Sequence, residues 1–271
     1  MVLRYRANPR AWISGVLWLL GAAAFAQVGI GVAPPRFELV LPPGATTTEA
    51  VVVFSRNTPD QRIDVALVDW LNGIDGALRV LPPGTAPYSA AGWLQTSVDP
   101  FTLERDGAHT VRFTVTVPEA AVEGSYWTGL AFTTAPRPVE REGLTALMRT
   151  RAVAVVYVTI QGTERPAAEI TGVAVQQVPE KGRFVVVDVV NRGNVYLRLN
   201  GELRFVDAAG EVVWRGPLPE RVLLRDGVAR YTLPVPEGLP EDVVLAAVEI
   251  LPKGPAGSYG GPTLYGEVSW P

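Results

Sequence analysis

A single histidine, His109, and no cysteine stand among 271 residues. A Ser–His–Asp triad would need that histidine oriented by a buried carboxylate. The stretch Arg105-Asp-Gly-Ala-His109 reads instead as a hairpin, with His109 as a solvent-exposed turn residue. The same two counts remove the usual zinc-ligand spacings. Calcium would want a clustered Asp/Asn loop. Asn72-Gly-Ile-Asp75-Gly76 and Asp207-Ala-Ala-Gly210-Glu211 come nearest, and both read more simply as hairpin turns. The 27 Asp and Glu residues always offer carboxylate pairs, but no spacing singles out a pair for glycoside hydrolysis. No glycine-rich loop leads from a strand into a helix, so there is no phosphate cradle. These residues point away from an enzyme and call for no cofactor and no metal. One charged residue does stand out: Arg36, in Gly31-Val-Ala-Pro-Pro-Arg-Phe-Glu-Leu-Val-Leu-Pro-Pro-Gly44. It is either a solvated charge that protects an edge strand from aggregation or the start of a binding site.

The elements that must position it are strands. Between the two proline pairs lies one short strand, with Phe37, Leu39 and Leu41 on one face and Arg36, Glu38 and Val40 on the other. After Gln27 the chain is a series of short alternating runs broken by Pro and Gly turns, the pattern of an all-β sandwich. Val51 to Phe54 and Ile63 to Trp70 are two such runs, and Val111, Phe113, Val115 and Val117 form the buried face of another. Tyr126 to Phe132 follows a Glu123-Gly124 turn. Arg151 to Ile160 is nearly continuous in apolar residues, as expected for a strand covered on both faces.

Gln161 to Pro166 reads as a linker, and a second β set follows it. Its expected strands are Ile170–Gln176, Gly182–Val190, Leu197–Asp207, Val212–Trp214, Val228–Val235, Val243–Leu251 and Tyr265–Trp270. About seven strands per half is the count of an immunoglobulin-like sandwich. The fold class is therefore all-β, two tandem immunoglobulin-like sandwiches, with units at 27–163 and 164–271. Asn57 and Asn191 are expected to close turns through their side chains, with Gly193 supplying a positive φ.

Residues 1–26 have the layout of an export signal. Arg4, Arg6 and Arg10 precede the apolar run Ala11–Phe25, and Ala24-Phe25-Ala26 forms a cleavage pattern before Gln27. The run is short for a membrane span, so a periplasmic or extracellular protein without a stable span is expected after cleavage. The net charge of −3 is spread along the chain and leaves no basic footprint for nucleic acid. With no cysteine, the fold must hold by packing, to which Trp70, Trp93 and Trp127 contribute.

The first half resembles the N-terminal domain of PapD-like periplasmic pilus-assembly chaperones. The matching residues are Val32-Ala-Pro-Pro-Arg-Phe37, Val51 to Asn57, Trp93-Leu94, Asp99-Pro-Phe-Thr-Leu103, Asp106-Gly107 and Val111-Arg-Phe-Thr-Val115. Gly124-Ser-Tyr-Trp127 continues the pattern, and the likeness spans about residues 30 to 160. The second half resembles the family's second domain only in its position.

The resemblance implies that the chain adds a strand to an incomplete subunit of an envelope or pilus protein. Leu144, Ala146 and Met148 would be the apolar donors, and two basic residues would hold the subunit's C-terminal carboxylate. Arg36 maps onto the first of these. The family's lysine position is filled by Val153, and the nearest cation is Arg151, two residues earlier on the same face and about 7 Å away. Two other functions remain open on the residues alone. One is a structural or adhesive envelope module without a client. The other is a carbohydrate-binding or hydrolytic sandwich, which needs an exposed aromatic platform or a carboxylate pair in a cleft.

Overall fold

The computed structural model describes residues 29–96, 100–141 and 143–270, so the expected export signal at 1–26 lies outside the described residues. The first sandwich opens with β1 (Gly29–Ala33), β2 (Arg36–Leu41), β3 (Thr46–Arg56), β4 (Gln61–Asn72), β5 (Leu78–Leu81) and β6 (Leu94–Thr96). It continues with β7 (Phe101–Leu103), β8 (Ala108–Thr116), β9 (Ser125–Thr134), β10 (Arg137–Arg141), β11 (Leu144–Met148) and β12 (Arg151–Ile160). One sheet has the order β1-β3-β8-β6, and the sheet facing it runs β2-β12-β9-β4-β5, with β7 also paired to β4. Strands β10 and β11 form a separate two-stranded ribbon.

The short strand expected between the two proline pairs is β2, and a separate strand, β1, precedes it. Pro34 and Pro35 have no N–H to donate, so the ladder breaks there. The chain crosses from one sheet to the other at that point: β1 pairs antiparallel with β3, and β2 pairs parallel with β12. Val51, Val53, Val111, Phe113 and Val115 then pack against Phe37, Leu130, Phe132, Val156 and Val158 to form the first core. Phe37 meets Phe113 edge-on at 4.9 Å.

The second sandwich comprises β13 (Ala168–Val178), β14 (Gly182–Asn191), β15 (Leu197–Asp207), β16 (Val212–Leu223), β17 (Val228–Pro234), β18 (Val243–Lys253) and β19 (Leu264–Ser269). Its sheets have the orders β13-β14-β17 and β16-β15-β18-β19. Three strands facing four in this connectivity is the immunoglobulin-like arrangement. One correction concerns β16, expected to stop at Trp214 but continuing to Leu223. Pro217 and Pro219 are tolerated because β16 is an edge strand that pairs on one side only, with β15.

Two smaller expectations also change. His109 lies on β8, stacked 4.0 Å from Phe101, and the turn precedes it at 104–107. Gly193 does not adopt a positive φ. Glycine is needed there because a Cβ would sit 2.2 Å from the Arg165 carbonyl oxygen, where the connecting segment crosses. Asn191 closes its turn as expected, donating from Nδ2 to the Val195, Leu223 and Leu224 carbonyls.

Asp69 is fully buried at the end of β4 and organises the segment after β5. Its Oδ2 accepts from the Thr85 and Ala86 amides at 3.0 and 3.1 Å, and its Oδ1 accepts from the Ser89 hydroxyl at 2.9 Å. Asp69→Ala strands these donors and is expected to cost about 2–4 kcal/mol of stability. Urea unfolding checks it, and an unchanged midpoint would refute the role.

Candidate functional site

Arg36 opens β2, the edge strand of its sheet, with Val155 as its register partner on β12 and Tyr157 opposite Glu38. Phe37 points into the first core, so Arg36 and Glu38 face the second sandwich. Arg36 Nε lies 2.9 Å from Glu38 Oε1. The same oxygen accepts from Arg198 Nε at 2.8 Å and Nη2 at 2.6 Å, and Arg198 Nη1 reaches Glu220 at 3.2 Å. Arg198, on β15, is only 7% exposed. Its guanidinium lies 5.9 Å from the ring centroids of both Tyr157 and Tyr196, which are themselves 4.3 Å apart.

Burial alone would lower the pKa of Arg198, but the hydrogen bonds and charge of Glu38 outweigh it and hold the guanidinium protonated. Burial pushes the Tyr157 hydroxyl up to about 12 and raises that of Tyr196 further. Both hydroxyls therefore stay neutral at physiological pH, and that of Tyr196 accepts from the Ala256 amide at 3.4 Å. Sequence reasoning missed Arg198. It stands between the core leucines Leu197 and Leu199, where alternation predicts only an outward-facing residue.

Arg151 begins β12 and donates from Nε to Thr133 Oγ1 at 3.1 Å, with its side chain exposed. Arg36 is in register with Val155, four residues further on, a strand distance of about 13 Å. The structure therefore does not bring Arg36 and Arg151 together. The second cation on the Arg36 carboxylate partner is Arg198.

Leu144, Ala146 and Met148 lie on β11, every residue of which is exposed, with Leu144 and Leu147 each 75% exposed. β11 pairs with β10 from Met148↔Arg137 to Leu144↔Arg141, and Gly143 takes the turn with φ 78°. The ribbon prolongs the β9/β12 pairing through the Thr134 amide, which donates to the Thr150 carbonyl at 2.9 Å. The Thr150 amide donates back to Thr134 Oγ1 at 3.0 Å. Among the described residues each strand of the ribbon has one neighbour, which leaves an edge of β11 open.

Between the sandwiches lies a cleft of about 410 Å³ lined by Trp70, Asn72, Val155, Tyr157, Glu220 and Arg221. Two of its lining residues, Trp70 and Tyr157, belong to a packed cluster with Trp127, Tyr196 and Leu224. Backbone bonds close the rest of the seam, from the Ser125 amide to the Asn194 carbonyl at 2.9 Å and from the Arg230 amide to the Ile74 carbonyl at 2.6 Å. The Asn72 side chain donates to the Val222 carbonyl at 2.9 Å. Gly124 is required here, since its φ is 92° and a Cβ would lie 2.2 Å from the Asn194 oxygen. The Tyr126 hydroxyl donates to the Val122 carbonyl, four residues upstream, at 3.3 Å. Among the described residues no group of three or more His, Cys, Asp or Glu is placed to hold a metal. No helix among them is long and apolar enough to cross a membrane.

No family model matches the sequence, and no curated protein matches it. Among solved structures the chain is similar to fimbrial chaperones. The CsuC–CsuE chaperone–tip adhesion subunit complex of Acinetobacter baumannii aligns with a TM-score of 0.47 at 12% identity, over 88% of this chain and 98% of that one. The class 5 fimbriae chaperone CfaA gives 0.45 at 11%, over 88% and 98%. The E. coli chaperone DraB gives 0.42 at 12%, over 90% and 98%.

Proposed function

We propose that this chain is an exported, non-enzymatic binding protein that adds an edge strand to an extended segment of an envelope or pilus subunit. The observation that carries it is β11, which among the described residues has an open edge, with Leu144 and Met148 exposed on one face. An unpaired strand edge offers a row of backbone donors and acceptors, and alternate apolar side chains give the partner something to bury. Leu144, Ala146 and Met148 share the face assigned to the partner. Arg36 receives a carboxylate of that partner at the seam, and Arg151 contributes at a distance from it or not at all. In this scheme 1–26 is removed on export, 27–163 and 164–271 act as two units, and the work is done in the periplasm or outside the cell.

Arg36→Ala is expected to lower partner recovery in a pull-down from envelope extract about tenfold, the loss of one charge-assisted contact. Recovery at the level of the unaltered chain would overturn the anchor. The ion pair from Arg36 to Glu38 favours a second role, a structural or adhesive envelope module in which Arg36 serves only the chain's own packing. That role predicts indifference of partner recovery to Arg36 and a loss of stability instead.

A further inference from the structure

We infer that Glu38 is a positioning residue that ties Arg36 to the docked second sandwich, so that carboxylate capture by Arg36 depends on Arg198, buried in the seam. This rests on the reading of Arg36 as the anchor proposed above. A free arginine side chain loses considerable rotamer freedom when it binds, and holding it in place beforehand removes that cost. Glu38 does so as an ion pair, its Oε1 lying 2.9 Å from Arg36 Nε. The donors on the two Nη atoms remain for a partner, on a side chain that is itself half-exposed.

Glu38 is in turn not free to move. Both Arg198 contacts end on the same Oε1 that faces Arg36, and Arg198 is packed among Tyr157 and Tyr196. The order of control runs from the second sandwich through Arg198 and Glu38 to Arg36. Two arginines are balanced by Glu38 and Glu220, so net attraction for a carboxylate is small and direction must supply the recognition. A partner's carboxylate then meets an oriented fork of donors only while the two sandwiches are docked.

The test uses the full chain with sodium acetate as the carboxylate probe, read by ¹⁵N NMR of the arginine side chains. Arg198→Met should raise water exchange at Arg36 Nε–H about fivefold and weaken the acetate-induced shift of Arg36 about threefold, although Arg36 itself is unchanged. Arg198→Lys keeps a charge in the seam and guards against a folding defect, and it should fall between the two. Glu220→Gln touches only the far side of Arg198 and should leave Arg36 as it was. A folded Arg198→Lys or Arg198→Met chain with unaltered Arg36 exchange and acetate response overturns the coupling while leaving the anchor standing. An acetate response that survives Arg36→Ala overturns the anchor, and the inference with it.

Discussion

Alanine in place of Trp127 is expected to lower the unfolding free energy by about 4–6 kcal/mol, a large part of the stability of a typical domain. Trp127 is among the largest fully buried side chains, and its indole N–H donates to the Trp70 carbonyl at 2.9 Å. Truncation leaves a cavity lined by aromatic rings and strands a buried acceptor. The cavity belongs to the cluster in which Trp70, Trp127 and Tyr157 of the first sandwich meet Tyr196 and Leu224 of the second. Loss of packing there should weaken the coupling between the two cores as well as each core. Calorimetry is therefore expected to show a lower and broader transition that begins to split in two. Trp127→Phe, which retains most of the apolar area but not the N–H, should lose less and stay single. A single transition for Trp127→Ala, shifted by less than about 1 kcal/mol, would refute the role.

The strands of the second sandwich were legible because each buries one face and exposes the other. Val185, Val187 and Val189 are buried in β14, and the bounds Leu197–Asp207 of β15 are those the alternation gives. Edge strands were harder, since prolines that would break a central strand are accommodated at β16. The crossing at Pro34-Pro35 was hidden for a different reason. Both halves of that segment are extended, and only their pairing partners, β3 and β12, distinguish them. Arg36 could be singled out from its place on a short strand, but its setting could not. Glu38 and Arg198 are 160 residues apart and meet only because the sandwiches dock, a relation that no local pattern encodes. The converse holds for Arg151. Its sequence spacing from Val153 suggested proximity to Arg36, whereas the parallel register of β2 on β12 sets Arg36 beside Val155.

Joint replacement of Leu144 and Met148 by serine should reduce partner recovery about a hundredfold or more while leaving stability within about 0.5 kcal/mol. The two halves of this expectation have one cause. Both side chains are exposed on a ribbon that belongs to neither core, so the free chain has little to lose. A partner strand on the open edge of β11 would bury both, at about 1.5–3 kcal/mol each as an upper bound. Ala146, between them on the same face, adds little apolar area. Leu147 is as exposed as Leu144 but points to the opposite face, beside Pro138. Leu147→Ser should therefore cost the partner less than about threefold, because period-two alternation keeps it out of the buried row. Equal losses at 147 and at 144 with 148 would mean that the ribbon offers nonspecific apolar area rather than one face of a paired strand. Recovery unaffected by any of the three would remove β11 from binding altogether. The difference between the two faces, measured on variants of equal stability, is what separates strand addition from simple stickiness.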